Sequence, residues 1–209
     1  MIDRLLGAGF EPFGLDSEGR TVPVAAEKLG AFEGQMDLVM MKSAGRCSFM
    51  LIRQAEPRDD DAIWLILEPT FRAGETYPIS RDISRSDALA DWRSPEHSVF
   101  VADDAGAIVG TYYLRANNRG GGAHVANCGY VVAPGAYGRG VARTMCTHSL
   151  DEARRRKFKA MQFNFVVSSN DRAVQLWQGM GFVIVGRLPR AFEHPRSGFI
   201  DAYVMSRAL

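Results

Sequence analysis

Cysteine is scarce in this chain. Its three, Cys47, Cys128 and Cys146, fall into no CxxC or Cys/His spacing, so neither a disulfide framework nor a metal site can be read, and no metal is expected. An odd number of thiols without a signal-peptide pattern argues for reduced cysteines and a cytoplasmic home. Cys128 and Cys146 read as small buried hydrophobes, because nothing near them in sequence would activate a thiolate. Long hydrophobic runs are missing too: none approaches the roughly 20 residues of a membrane span. Nor is charge of one sign in excess. Lys and Arg number 25 against 24 Asp and Glu, a net charge of +1, which leaves no basic stripe for nucleic acid or an anionic membrane. The one basic run, Arg154-Arg-Arg-Lys157, reads as cations completing the last turn of a helix. Repeats and low-complexity tracts are absent.

What remains is an ordinary globular composition, 46% hydrophobic and 23% charged over 209 residues, enough for one domain with a sizeable core. Residues 1–48 read as an N-terminal appendage. In them Asp16-Ser-Glu-Gly-Arg20 forms a turn cluster between short apolar pieces, which predicts a hairpin against the core. Recognisable pattern starts at Met50, consistent with a translation start there. A domain over 49–209 then reads as strand Leu51–Gln54, a helix from Pro57 through Leu67, and a second helix over Ser86–Arg93. Strands Ser98–Ala102 and Ile108–Arg115 flank the hairpin turn at Asp103-Asp-Ala-Gly106, and strand Asn127–Val132 follows. Helix 140–157, strand Met161–Val167, helix 170–180 and a closing strand pair, Phe182–Leu188 with Phe199–Ser206, complete the order.

The densest signal is Tyr130-Val-Val-Ala-Pro-Gly-Ala-Tyr137-Gly138-Arg139-Gly140-Val141-Ala142-Arg143. A glycine-rich loop between a strand and a helix offers unpaired N–H groups and the positive end of a helix dipole, a ready cradle for phosphate. A Walker loop would need Lys-Ser/Thr where Val141-Ala142 stand; a dinucleotide fingerprint would need its third glycine at Arg143. Downstream, Asn170-Asp-Arg-Ala173-Val-Gln-Leu176-Trp177-Gln-Gly-Met-Gly181-Phe182 gives an N-cap, an apolar helix face and a glycine stop.

These two stretches together resemble the conserved motifs of the GNAT family of N-acetyltransferases, with Tyr137 standing where the family has Gln or Arg and Trp177 where it usually has Tyr. The resemblance covers about residues 50–209. It implies an α/β (α+β) GNAT fold, a mixed, mostly antiparallel central sheet with splayed strands and flanking helices. It further implies that acetyl-CoA lies in the wedge between strands 127–132 and 161–167. Backbone groups of Val131 and Val132 would meet pantetheine and thioester, and the N–H groups of Gly138, Arg139, Gly140, Val141, Ala142 and Arg143 would hold the pyrophosphate. Ala173 and Trp177 would border the cofactor. Arg139 and Arg143 could also reach phosphates with their side chains.

A narrower likeness rests on Gly74-Glu-Thr-Tyr77-Pro, Asn127-Cys-Gly-Tyr130, Asn164, Asn170, Trp177 and Asp201-Ala202. These resemble the azetidine-2-carboxylate and hydroxyproline N-acetyltransferases, which implies that Asn127 and Asn164 bind a small substrate and that Asn170 contacts the cofactor near its sulfur. Mid-strand asparagines support this independently, since buried amides need partners. Tyr77 and Trp92 would wall the substrate pocket. An indole cannot protonate a leaving thiolate, so Trp177 reads as packing, and the thiolate leaves unprotonated beside Asn170. For a general base the candidates are Glu75, His124 and Glu193, with His194 a weaker one, whereas His97 and His148 read as ordinary helix or turn residues. The expected activity is acetyl transfer from acetyl-CoA to a small-molecule amine, first a proline-like imino acid. Two alternatives stay open: a protein or peptide N-acetyltransferase, and a non-catalytic acetyl-CoA-binding module. The edge strand near the C-terminus makes a homodimer the expected assembly.

Overall fold

The computed structural model describes residues 13–15, 21–23, 37–43 and 46–209, with side chains from Met50 onward. Strands β1 (Phe13–Leu15) and β2 (Thr21–Pro23) pair antiparallel as a small sheet of their own. β3 (Asp37–Ser43) pairs with β4 (Arg46–Gln54). β3 and the start of β4 thus carry part of the expected appendage into the main sheet, across the expected boundary at 48/49; the remainder of 1–48 lies outside the described residues.

From β4 a 3₁₀ turn, Pro57–Asp59, leads into α1 (Asp60–Ala73). That helix outlasts the expected stop at Leu67. Pro69 lies inside it, yet the helix carries on until Gly74 adopts a left-handed φ of 64°. The extra turn buries Phe71, 1% exposed, and burial of an aromatic ring offsets the single backbone hydrogen bond that proline removes. α2 (Arg85–Trp92) begins where Ser84 caps the Asp87 N–H. β5 (Ser98–Asp104) and β6 (Ala107–Ala116) join through Ala105 and Gly106, both at positive φ, with the Gly106 N–H donating to Asp103 Oδ1 at 2.7 Å; two positive-φ residues give the twist a two-residue hairpin needs. β7 (Val125–Val132), α3 (Val141–Arg155), β8 (Ala160–Val167), α4 (Asp171–Gly179), β9 (Val183–His194) and β10 (Gly198–Ala208) follow.

The main sheet has the order β3-β4-β5-β6-β7-β8-β10-β9. Neighbours are antiparallel except β7 and β8, which run parallel. α1 and α2 cover one face through Ile63, Leu67, Phe71 and Trp92 over Val99, Val101 and Val131. On the opposite face α3 and α4 bury Val141, Met145, Leu150 and Trp177 against Phe100, Tyr112, Leu114 and Phe163. The closing pair is longer than its apolar pattern suggests: β9 runs on to His194 where a loop is expected after Leu188. There the register shifts between Ile200 and Ala202, Arg190 turns to a φ of 53°, and its N–H donates to Asp201 Oδ1 at 2.8 Å. A carboxylate-anchored bulge absorbs the polar, proline-containing stretch, and the strand resumes beyond it.

Candidate active site

β7 and β8 pair only at Val125–Ala160 and Ala126–Met161, then part. The side chain of Asn127 stands at the fork and its Nδ2 donates to the Gln162 carbonyl at 2.8 Å, so an amide replaces the ladder bond that the diverging backbones have lost. On β8, Asn164 and Phe165 together oppose Val204 of β10, a register shift that bends the strand. The wedge between the strands opens into a cavity of about 860 Å³.

Which backbone groups face the wedge follows from alternation. The Ala133 N–H bonds to the Val109 carbonyl and the Asn117 N–H to the Val125 carbonyl, so odd-numbered residues of β7 point their polar groups at β6 and even-numbered ones at the wedge. Val132 therefore offers its N–H where the thioester is expected. Val131 does not: its backbone belongs to the β6 ladder and its side chain is buried under α1 and α2, which corrects its expected backbone role. The Tyr130 carbonyl also faces the wedge, and Tyr77 Oη donates to it at 3.0 Å.

At the far end, Gly138 and Gly140 hold φ of 75° and 77°, conformations that a side chain would strain. Gly140 is the N-cap of α3 without a side-chain cap, so the first-turn N–H groups of Val141, Ala142 and Arg143 have no intrahelical partner and line the cavity. This cradle fits a pyrophosphate. Arg139 departs from expectation: its N–H bonds to the Ala136 carbonyl at 3.4 Å, its guanidinium pairs with Asp104, and it stays off the cavity wall. Arg143 lines the cavity, with Nη1 beside Met180 Sδ at 3.4 Å.

Asn170 Oδ1 accepts from the Ala173 N–H at 3.2 Å, which fixes the amide so that Nδ2 is the donor left to offer; both residues line the cavity. Trp177 packs on Tyr130 and Phe163 at 5.0 and 5.1 Å between centroids and also lines the cavity. Asn164 has both amide atoms engaged, Nδ2 with Asn117 Oδ1 at 2.6 Å and Oδ1 with Gln162 Nε2 at 2.8 Å. This relay ties β8 to the segment that follows β6, across the mouth of the wedge.

Part of the cavity lies on the α1/α2 face. Tyr77, Trp92 and Tyr113 wall it, Tyr77 and Trp92 at 6.2 Å and Trp92 and Tyr113 at 5.0 Å. Gly129 lets the Tyr113 ring lie on β7, since a Cβ there would come within 2.6 Å of it. Burial pushes the Tyr77 and Tyr113 hydroxyls up, so both are protonated donors at neutral pH. Cys128 is likewise pushed up to about 12 by burial, which excludes a thiolate.

Two wall residues escaped the sequence reading. Arg115, directly opposite Asn127 across the strand pair, has Nε buried with no hydrogen-bond partner. His97 stacks on Tyr113 at 4.1 Å, nearly coplanar, and its Nδ1 lies 3.0 Å from the Trp92 carbonyl. By contrast, His124 bonds to the Gly121 carbonyl away from the cavity, and Glu193 also lies off it. His194 accepts the Arg196 and Ser197 N–H groups in a turn. Glu75 lines the cavity but is paired with Arg196 at 2.6 Å. Among the described residues no cluster of His, Cys, Asp or Glu could hold a metal, and no helix is long and apolar enough to cross a membrane.

Comparison with known proteins gives the family and the fold. The profile of the acetyltransferase (GNAT) family matches residues 61–182. The N-acetyltransferase aca1 of Schizosaccharomyces pombe is 27% identical over 148 residues, 63% of this chain and 71% of that one. The structure of a GCN5-related N-acetyltransferase from Kribbella flavida superposes with a TM-score of 0.74 at 40% identity, covering 77% of this chain and 98% of the other. The putative acetyltransferase YncA of Salmonella typhimurium, solved with its cofactor acetyl-CoA, shares the fold at a TM-score of 0.68 and 22% identity, over 77% of this chain and 94% of its own.

Proposed function

Because the chain belongs to the acetyltransferase (GNAT) family and is an acetyl-CoA-dependent N-acetyltransferase, we propose that its acceptor is the amine of a small amino acid, with a proline-like imino acid first. One observation carries the choice: the half-buried Arg115, its Nε without a partner, stands beside Asn127 in a pocket walled by Tyr77, Trp92 and Tyr113. A guanidinium fork matches a carboxylate in charge and geometry, and the aromatic walls fit a small ring or aliphatic side chain. The same walls make the pocket a poor groove for a protein chain.

Acetyl-CoA supplies the activated acetyl group. This chain's residues bind and orient: the N–H groups of Val141, Ala142 and Arg143 hold the pyrophosphate. The Val132 N–H is aimed at a carbonyl oxygen in the wedge, where a preorganised donor stabilises developing negative charge, and Asn170 Nδ2 serves the departing sulfur. Asn127 offers Oδ1 to the amine, since its Nδ2 is committed to Gln162. Asn164 completes the substrate side through its relay with Asn117. Two chains associate along β9, the exposed edge of the sheet.

Release of free thiol from acetyl-CoA, followed across a panel of imino acids, small amino acids, their amides and plain amines, tests the reading. Acids should turn over at least tenfold better than their amides, and Arg115→Met should erase that preference. Equal rates for acids and amides in the unaltered protein would sink it.

A further inference from the structure

His97 precedes β5, outside both sequence stretches that mark the cofactor site, yet it forms part of the acceptor wall beside Tyr113 and Trp92. Its backbone is anchored at one point and its ring is held at two. The Ser94 carbonyl accepts the His97 backbone N–H at 2.7 Å, Tyr113 stacks on the ring, and the Trp92 carbonyl lies 3.0 Å from Nδ1. A carbonyl can only accept, so Nδ1 carries the hydrogen and Nε2 carries the lone pair. A tautomer fixed in this way, on a residue that lines the cavity, is the arrangement a proton acceptor requires.

We propose that His97 Nε2 is the catalytic base that takes the proton from the acceptor amine, directly or through one water. The amine nitrogen commits its lone pair to the acyl carbon, the carbon–sulfur pair leaves with sulfur, and the nitrogen's N–H bond becomes acidic. Nε2 binds that proton with its own lone pair, and the N–H electrons stay on nitrogen as the amide lone pair. The imidazolium then returns its proton to water. Because the nitrogen is acidic by this point, a weakly basic imidazole suffices.

The surroundings keep the ring neutral. Burial pushes its protonation below the ordinary imidazole range; the Trp92 carbonyl opposes that shift, the Arg115 guanidinium on β6 reinforces it, and the Glu96 and Asp91 carboxylates oppose it. The other candidates lack the position or the freedom: Glu75 is paired with Arg196, and His124 and Glu193 lie off the cavity.

The inference rests on amine acetylation and is tested in two arms. The first needs no substrate. Nitrogen-15 spectra of the full chain should show His97 as the Nδ1–H tautomer, neutral at pH 7 and titrating below a free imidazole. Protonation at pH 7, or the Nε2–H tautomer, overturns the proposal whatever the substrate proves to be. The second arm uses His97→Asn, whose amide keeps a donor for the Trp92 carbonyl but has no counterpart of Nε2, with His97→Gln beside it. At pH 7, kcat/KM should fall about 100-fold or more, the inflection of its pH profile below the ordinary imidazole range should vanish while the limb set by the acceptor's own ammonium ionisation stays, and acetyl-CoA affinity measured by titration calorimetry should stay within twofold. Retention of that lower inflection in a folded His97→Asn protein refutes the assignment. If no amine is acetylated but the first arm holds, the acceptor reading has failed and the proton-acceptor geometry stands.

Discussion

Asn127 commits one amide hydrogen to the Gln162 carbonyl at the point where β7 and β8 separate, and a structural duty there limits what the residue can do for a substrate. An asparagine in mid-strand is conspicuous in the sequence because a buried amide must find a partner, but the same signal fits a substrate contact and a strand tether. The structure gives Asn127 the tether and one spare acceptor, whereas Asn164 lies nearer the open side and meets only other amides. The two alanine variants should therefore differ. Asn127→Ala loosens the fork and should raise the KM for both acetyl-CoA and amine, each about threefold or more; Asn164→Ala should raise only that for amine. Steady-state kinetics varying each substrate in turn separates the two, and equal effects of both variants would contradict the tether. Arg115 and His97 gave no such signal. His97 reads as an ordinary helix or turn residue and Arg115 only as the end of a strand until the Arg115–Asn127 register and the His97–Tyr113 stack bring them to one pocket.

The elements that build the site were legible where periodicity and capping agreed. The glycine loop, α3 and α4 fall within a residue or two of their sequence limits, because Gly140, Asn170 and Gly181 punctuate them locally. The far half of β9 was not, because its continuation depends on a contact between Asp201 and Arg190 that no local pattern encodes. A side-chain contact six residues apart positions α1, the helix that supplies Phe71 to the cavity wall. Asp59, in the turn before α1, takes Arg53 Nη1 and Nη2 of β4 at 2.7 and 2.8 Å and also caps the Glu56 N–H at 2.7 Å. Arg53 holds the Asp59 carboxyl below the usual carboxylate range. A depressed folded-state value means that this stability is present above the unfolded carboxylate value of ~3.9 and is lost as pH falls through the folded one. Asp59→Ala should cost about 2 kcal/mol at pH 7, and the deficit should shrink below pH ~4. Urea unfolding at the two pH values measures both; a deficit independent of pH would assign the loss to packing alone.

At the scale of the molecule, the two faces of the sheet divide the labour. In the proposed arrangement α3 and α4 serve the cofactor on one face, α1 and α2 shape the acceptor pocket on the other, and the parting of β7 from β8 lets the two meet. The edge of that sheet carries the remaining unexplained surface. β9 ends the strand order, and Val183, Val185 and Phe199 beside it are 61%, 58% and 55% exposed. An unpaired edge of this length with apolar side chains on both of its faces tends to add another strand. A second copy of the same edge is self-complementary about a two-fold axis, so the proposed homodimer needs no other surface. Sedimentation should then give about twice the 23.0 kDa chain mass. Val185→Lys should return the protein to the monomer mass, because a lysine at the pairing edge must either lose its hydration or block the approach of the second strand. The cavity is lined from β6, β7 and β8 and by no residue of β9, so the monomeric variant should keep its acetyl-CoA affinity within twofold. A variant that stays dimeric would move the interface off β9, and an unaltered protein that sediments as a monomer would remove it altogether.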